Sequence, residues 1–404
     1  MSSDLPGRAR PSLTPPAFAS PLAQPALSQG APIPSPTALP LEVPVAPRAG
    51  RVAPLWLFGV LVIVLVLLVS YFLSALGAAS SIVGAILALV PLVGVVVAVR
   101  IIDRWEPEPT GLLVLAAAWG AIAAVGIALA VDFAITAVIG NDGSVLREAF
   151  SVVVQAPIVE ELGKGVGVLL IFLVARRAFD GPVDGIVYGA LVGAGFAFTE
   201  NIQYFAISFI EGGVADASVT FFIRGILSPF AHVMFTAVTG FAVGLAARRG
   251  ASNGSILGAW VLGMMGAIVL HAIWNGSAMF GDFFALYLVL QVPLFVLFVI
   301  GVIALRREEA RLTRRRLGEY AEAGWFTVQE ADMLATPAGR KAGLAWAKSL
   351  RGDRSDIMMG FIRDATALAA ARQRSVTGRD PHSAAEEHAL LARTAAARAA
   401  LFAL

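Results

Sequence analysis

The 404-residue chain contains no cysteine, which excludes disulfides, thiolate metal sites and cysteine nucleophiles and leaves the redox compartment open. Charge is also scarce, since 14% of the residues are charged and 58% are hydrophobic. A soluble domain carries about a quarter charged residues, so this composition excludes an ordinary soluble protein. Lysine is nearly missing, because the first lysine is Lys164 and the next is Lys341.

Long apolar runs dominate the middle of the chain. Runs of roughly 18 or more apolar residues are typical of membrane-spanning helices. The sequence therefore predicts an all-α, polytopic membrane helix bundle with about eight transmembrane helices. The predicted spans are residues 54–76, 80–100, 110–139, 150–176, 184–208, 221–247, 255–278 and 283–305.

The two ends of the chain differ from this core, which we take as residues 53–305. Twelve prolines precede Arg48 in a segment rich in Pro, Ala and Ser, so residues 1–52 are predicted to be a disordered tail. Residues 306–404 turn polar and Ala-rich, which predicts an α-helical appendage.

Basic residues suggest the orientation of the chain. They precede the first span and follow each even-numbered span: Arg48, Arg51, Arg100, Arg104, Arg176, Arg177, Arg248, Arg249, Arg306, Arg307, Arg311 and Arg314. Loops rich in Lys and Arg face the cytoplasm. We therefore expect both termini, and hence both tails, to be cytoplasmic.

The segment APIVEELGKG, residues 156–165, places three charges inside a span. A charge at bilayer depth costs roughly 3 kcal/mol, so it is expected to face the bundle interior and to have a partner. At about 100° per residue, Lys164 falls between Glu160 and Glu161 and one turn further on, so the three share a face. Pro157 lies on that face and is expected to bend the helix.

Polar groups recur in the next three spans. They are Glu200 and Asn201 in FAFTEN, Arg224 and His232 in RGILSPFAH, and His271 and Asn275 in HAIWN. On the predicted topology, Glu160, Glu200, His232 and His271 lie roughly 10–17 Å below the outer surface. Unrelated polar residues would not be expected to lie at one common depth. We therefore expect a single intramembrane polar site in the outer half of the bilayer.

Glycines recur every fourth residue in the fifth predicted span, at Gly185, Gly189 and Gly193. Small residues at this spacing let two membrane helices approach closely. The pattern predicts tight helix packing and carries no chemistry of its own.

Two neighbouring carboxyls do not ionise equally, so one can act as base and the other as acid on a water molecule. Histidine and asparagine donors can stabilise a developing oxyanion. The same Glu and His side chains are acceptable zinc ligands, and the residues do not decide between the two chemistries. A proton-coupled transporter is the alternative function, and a scaffold that pairs helices through polar groups is a third.

Five elements, in order, resemble the PrsW family of intramembrane proteases, which is related to the CAAX-protease and bacteriocin-processing superfamily. EELGK fits the family's EExxK motif, and FAFTEN fits its FxxxEN segment. RGILSPFAH and HAIWN look like its later arginine–histidine and HxxWN segments, and DRWEPEP at residues 103–109 looks like the acidic loop before them. The resemblance extends from Asp103 to Asn275 and excludes both tails.

The resemblance implies a multi-pass protease of the bacterial cell membrane that cleaves a membrane-anchored protein near its outer face, as family members cleave an anti-sigma factor in stress signalling. It implies that the catalytic residues are Glu160, Glu161, His232 and His271, which are also the ligands if a metal, zinc foremost, is bound. The implied supporting residues are Lys164, Glu200, Asn201, Arg224 and Asn275. The expected partners are the protein substrate and the lipid bilayer, and no nucleic acid.

Overall fold

The computed structural model describes residues 55–140, 143–378 and 383–402. The predicted N-terminal tail, with Arg48 and Arg51, lies outside the described residues. Within the described residues every regular element is a helix, which confirms the all-α prediction. These residues divide between Leu305 and Arg306 into two compact units.

The first unit is built from long helices, three of which continue through a π-helical turn. Its α-helices are α1 (Leu55–Ala75), α2 (Ala78–Ile102), α3 (Thr110–Ala118), α4 (Val125–Ile139), α5 (Val145–Phe150), α6 (Ala156–Val174), α7 (Pro182–Phe221), α8 (Ala231–Arg248), α9 (Asn253–Phe280), α10 (Phe283–Leu286) and α11 (Val292–Glu322). The π-helical segments are Trp119–Ala124, Ser151–Gln155, Phe222–Leu227 and Tyr287–Gln291. Helix α11 continues beyond Leu305 into the second unit.

Six stretches of the described residues are long and apolar enough to cross a membrane: Phe58–Ala75, Ala78–Ile102, Thr110–Ile139, Pro182–Arg248, Asn253–Phe280 and Phe283–Glu322. Helix α6 is not among them because its 19 residues include Glu160, Glu161 and Lys164. The stretch Pro182–Arg248 contains two of the predicted spans. The structure thus supports a polytopic helix bundle, and the count of eight spans stays a prediction.

Helix α7 reverses its direction at Gly213. This glycine has φ 67°, in the left-handed region that favours a residue without a Cβ. Ser208 and Thr220 lie on opposite sides of it, and their hydroxyl oxygens are 2.8 Å apart. Twelve residues of straight helix would separate them by about 18 Å. The end of α7 therefore folds back toward its beginning and delivers the next π-helical segment, which carries Arg224.

Helices α7 and α8 pack closely along the predicted glycine stripe. A Cβ on Gly185 would lie 2.0 Å from the carbonyl oxygen of Gly240, and one on Gly193 would lie 2.3 Å from that of His232. Side chains larger than hydrogen do not fit at these distances, so the predicted close approach is confirmed. This packing brings the backbone that carries His232 against the helix that carries Glu200.

The second unit consists of the end of α11 with α12 (Val328–Leu334), α13 (Pro337–Ser349), α14 (Ser355–Thr377) and α15 (Ser383–Phe402). Its core is apolar and includes Leu317, Phe326, Leu334, Phe361, Leu368 and Leu390. Ion pairs join its helices: Arg372–Glu319 at 2.8 Å, Arg398–Glu330 at 2.7 Å and Arg393–Asp364 at 2.7 Å. The segment is helical, as the sequence predicts, and it has a core of its own.

Candidate active site

Seven charged or titratable side chains from the predicted site come together in the first unit, and we call them the Lys164 cluster. Its members are Glu160, Glu161, Lys164, Glu200, Arg224, His232 and His271. They are carried by α6, α7, the π-helical segment Phe222–Leu227, α8 and α9. The predicted convergence of neighbouring helices is therefore present in the structure.

The lysine lies at the centre of the cluster. Lys164 Nζ is 2.8 Å from Glu161 Oε1, 3.1 Å from Glu160 Oε2 and 3.0 Å from His232 Nδ1. It also lies 3.7 Å from the centre of the Phe196 ring, a cation–π distance. The side chain of Lys164 is fully buried, so two carboxylates and an aromatic face replace its hydration.

The two adjacent glutamates have different surroundings. Glu161 is fully buried, and both of its oxygens are engaged, because Oε1 meets Lys164 and His271 Nδ1 (3.1 Å) while Oε2 accepts from Thr236 Oγ1 (3.0 Å). Glu160 is partly exposed, and its recorded contacts use Oε2 alone. Glu160 is therefore the member of the pair that can meet a substrate or a water.

Each histidine of the cluster is held by a carboxylate. His271 turns Nδ1 to Glu161, and its Nε2 lies 3.9 Å from Glu160 Oε2. His232 turns Nε2 to Glu200 Oε2, 3.0 Å away, and its Nδ1 faces Lys164. The two rings are edge to face with centres 4.9 Å apart. A carboxylate on one ring nitrogen fixes the orientation of the ring. For His271 this leaves Nε2 for ligands or proton transfer, whereas Nδ1 of His232 already meets Lys164.

Arg224 completes the cluster from the folded-back segment. Its Nη2 donates to Glu200, its Nε donates to Asn201 Oδ1 over 2.8 Å, and its guanidinium lies 3.8 Å from the centre of the Tyr204 ring. Asn275 lies farther out on α9 and donates to the carbonyl of Val152 over 2.8 Å. The predicted supporting residues thus surround the cluster, with Asn275 at its edge.

A cavity of about 410 Å³ opens onto the cluster, and we call it the Arg224 cavity. Its polar lining residues are Glu148, Glu160, Glu200, Asn201, Tyr204, Arg224, Ser228, His232, His271, Trp274 and Asn275. Seven of the nine predicted site residues line this cavity, and the fully buried Glu161 and Lys164 do not. The cavity gives a substrate access to Glu160 and both histidines.

Two tryptophans hold helix α6 on either side of the lysine. Trp119 Nε1 donates to the carbonyl oxygen of Gly163 over 3.0 Å, and Trp260 Nε1 donates to that of Gly165 over 2.7 Å. These contacts fix the backbone from which the charged side chains project. The sequence does not predict these contacts, nor that of Thr236 with Glu161, because composition does not reveal a partner that is distant in sequence.

A metal ion is compatible with part of the cluster. Glu160, His232 and His271 each offer one ligand atom, and these atoms lie within 4.8 Å of one another. Two imidazoles and a carboxylate are a known ligand set of catalytic zinc. The carboxylates behind the histidines are the hydrogen-bonded supports that such ligands usually have. The donor chemistry therefore fits a metal, and Glu161, which was expected as a fourth ligand, is not in this group.

Comparisons with known proteins agree with the motifs. A family model described as PrsW family intramembrane metalloprotease matches residues 108–299. Protease PrsW of Geobacillus kaustophilus is 31% identical over 144 residues, which are 36% of this chain and 58% of that protein. Protease PrsW of Oceanobacillus iheyensis is 28% identical over 200 residues, which are 50% of this chain and 84% of that protein.

Protease PrsW of Bacillus subtilis is 39% identical over a shorter segment of 79 residues, which are 20% of this chain and 33% of that protein. The match thus spans 58% of the length of the Geobacillus relative and a third of the Bacillus one. No solved structure matches the chain.

Proposed function

We propose that the chain, whose residues 108–299 match the PrsW family model, is a membrane protease that hydrolyses a peptide bond in a membrane-anchored protein near the outer face of the bilayer. One observation carries the proposal. Glu160 and both histidines line one cavity, with Glu160 Oε2 3.9 Å from His271 Nε2, while Glu161 holds His271 Nδ1 and Glu200 holds His232 Nε2.

Glu160 is the proton acceptor in this proposal. It shares Lys164 with Glu161 and lines the cavity, whereas the carboxylate of Glu200 is held by Arg224 and His232. A water proton passes to Glu160, and the water oxygen bonds to the carbonyl carbon of the substrate. The C–N bond then breaks, and Glu160 returns the proton to the leaving amine.

Donors for the substrate carbonyl come from the Arg224 side of the cavity. Asn201 Oδ1 accepts from Arg224, so its Nδ2 is the donor that remains. Charge that develops on the carbonyl oxygen is stabilised by preorganised donors and cations of this kind. Asn275 donates to Val152, so its Oδ1 remains to accept a substrate N–H.

Zinc is the metal we propose for the metal-dependent alternative to this mechanism, in which Glu160, His232 and His271 hold the ion and Glu160 does not also accept the water proton. When bound, it would supply Lewis-acid polarisation of the scissile carbonyl and of water. Glu161 and Thr236 then serve to orient His271, and Glu200 with Arg224 to orient His232. Lys164 balances the charge of the two adjacent carboxylates.

The test uses the purified full chain in proteoliposomes with membrane proteins extracted from its own cells. New protein termini are identified by mass spectrometry for the wild type, Glu160→Gln, His271→Ala and the control Asp216→Asn, whose side chain is exposed on α7. Loss of a general base lowers rates by about 10²–10⁴-fold, so both site variants are expected to lose the new termini while the control keeps them.

Identical termini from all four proteins would contradict the protease. Metal analysis of the same samples tests the zinc. We expect about one zinc ion per wild-type chain and loss of the ion in His271→Ala. An active wild type without metal would contradict zinc and leave the carboxylate mechanism.

A further inference from the structure

A second cavity, of about 360 Å³, is also lined by Glu160. We call it the Gln155 cavity, and its lining residues are Val125, Ala128, Leu129, Asp132, Gln155, Ala156, Val159, Glu160, Phe196, Glu200, Gln203, Tyr204 and Ile207. It shares Ala156, Glu160, Glu200 and Tyr204 with the Arg224 cavity. A peptide that occupies both cavities therefore passes Glu160.

Gln155 offers an unused acceptor in this cavity. The residue ends the π-helical segment before α6 and is 7% exposed. Its Nε2 donates to Asp132 Oδ1 over 3.0 Å, and its Oε1 has no hydrogen-bond partner among the described residues. Buried polar atoms without partners are rare and costly, so this oxygen can accept a hydrogen bond from a ligand that reaches it.

Asp132 adds a carboxylate to the lining of the same cavity, and no cation in the part of the chain that the structure describes faces it there. It lies within the apolar stretch Thr110–Ile139, and the amide of Gln155 is its recorded partner. The other two carboxylates of the lining, Glu160 and Glu200, are paired with Lys164 and Arg224. No Lys, Arg or His is among the described residues that line this cavity. A carboxylate in a membrane span calls for a donor or cation, and the ligand has to bring it.

We propose that the Gln155 cavity is a substrate subsite that binds a Lys or Arg side chain near the scissile bond, with Asp132 as its counter-ion. The inference rests on the proposed protease function. Cleavage requires an unwound substrate segment, whose backbone N–H groups lack partners inside a membrane. Gln155 Oε1 accepts one of these N–H groups, and Asp132 selects the side chain.

The geometry also predicts how far the Lys or Arg residue of the substrate lies from the scissile bond. Gln155 precedes Glu160 by five residues, a rise of about 7.5 Å along the helix. An extended peptide covers roughly 3.3 Å per residue. The selected side chain is therefore expected about two residues from the scissile bond, on one fixed side.

The experiment uses the full chain in proteoliposomes with a library of single-spanning peptides, randomised around the outer membrane boundary. Cleaved sites are sequenced for the wild type, Asp132→Asn, Asp132→Lys and the control Asp216→Asn. The wild type and control are expected to enrich Lys and Arg about tenfold or more at one position. Asp132→Asn reduces the ratio of kcat/KM for basic over neutral peptides by a similar factor, and Asp132→Lys shifts the preference toward Asp and Glu.

Gln155→Leu tests the backbone contact separately. Its side chain is similar in size but has no acceptor, so KM is expected to rise about tenfold for basic and neutral peptides alike, with the larger effect in KM than in kcat. A change in selectivity instead of KM would contradict the assigned acceptor.

The outcomes separate this inference from the function on which it rests. A library cut equally by the wild type and His271→Ala overturns the protease, and the subsite with it. Cleavage that needs His271 but shows no positional preference for basic residues overturns the subsite alone, and so does a preference that Asp132→Asn preserves. If Asp132→Asn does not fold, the wild type still tests the subsite, because the absence of a positional preference for Lys and Arg overturns it.

Discussion

Two groups of buried acids lie about 16 residues, or roughly 24 Å, apart along α7, at Asp184 and Glu200, and they are neutralised in different ways. In the Lys164 cluster, Glu160 and Glu161 face an ammonium and Glu200 faces a guanidinium. In the second group, which we call the Glu108 cluster, Glu108 lies beside Asp184 and accepts a hydrogen bond from Tyr188. Both Glu108 and Asp184 are 7% exposed.

The Glu108 cluster relies on protons where the Lys164 cluster relies on cations. Burial raises the pKa of the Glu108 carboxyl well above its usual range, and the nearby charges of Asp184, Glu106 and Asp180 raise it further, although the Tyr188 hydrogen bond opposes them. A raised pKa favours the protonated carboxyl, and Glu108 joins two segments of the fold here, the 103–109 loop and α7. Buried acids alone therefore do not distinguish the two clusters; their counter-charges do.

The largest effect is expected when the cation is removed from the Lys164 cluster. Lys164→Met leaves the fully buried Glu161 without its ammonium, which is expected to lower the free energy of unfolding by about 3–5 kcal/mol. Thermal unfolding in detergent micelles measures the change, with Lys348→Met, at an exposed position, as the control. If the buried charge is the cause, adding Glu161→Gln to the variant restores part of the loss; equal melting of Lys164→Met and the wild type would contradict it.

A smaller effect is expected at α8, where two fully buried threonines form a matched pair. Thr236 donates to Glu161, whereas Thr239 Oγ1 has no partner among the described residues. Thr236→Val is expected to cost about 2 kcal/mol, because it removes a hydrogen bond to a charged group, and Thr239→Val is expected to be neutral or stabilising. The two unfolding midpoints in denaturant measure the difference. Equal losses would show that the hydroxyl of Thr236 does not support the cluster.

The third substitution, Glu108→Gln, is expected to change the stability least when it is measured at acid pH. Because the folded state raises the pKa of Glu108, it binds a proton more tightly than the unfolded chain, and stability falls as pH rises from the ordinary carboxyl range through the raised value. Glu108→Gln is neutral throughout, so its melting temperature should match the wild type in acid and exceed it increasingly above that range. Glu211→Gln, on an exposed acid, is the control. A parallel pH profile for Glu108→Gln and the wild type would contradict the neutral carboxyl.

Part of the site could be predicted because it depends on helix periodicity alone. The spacing of Glu160, Glu161 and Lys164 places them on one face, and the structure shows Lys164 between the two acids. The same spacing does not reveal which acid is buried, since both flank the lysine equally. That outcome is decided by His271 and Thr236, which come from other helices and engage Glu161.

Other features depend on tertiary packing and have weak signals in the sequence. Sequence periodicity predicts two spans joined by a loop around Gly213, whereas α7 stays helical on both sides of this glycine and reverses there. The π-helical turns have no characteristic residue composition by which the sequence could predict them. Asp132 and Gln155 were not predicted, although the rule that singles out charges and amides inside spans applies to them as it does to Glu160.

The two indole contacts to α6 have a mechanical consequence. Trp119 and Trp260 bind the backbone carbonyls immediately before and after Lys164, and a Cβ on Gly167 would lie 2.2 Å from the Trp119 ring. These two hydrogen bonds hold α6 on both sides of Lys164, and the helix therefore has little freedom to slide or rotate. Under the proposed protease function, admission of a polypeptide strand would then require displacement of the other walls, which include the end of α7 beyond the bend at Gly213.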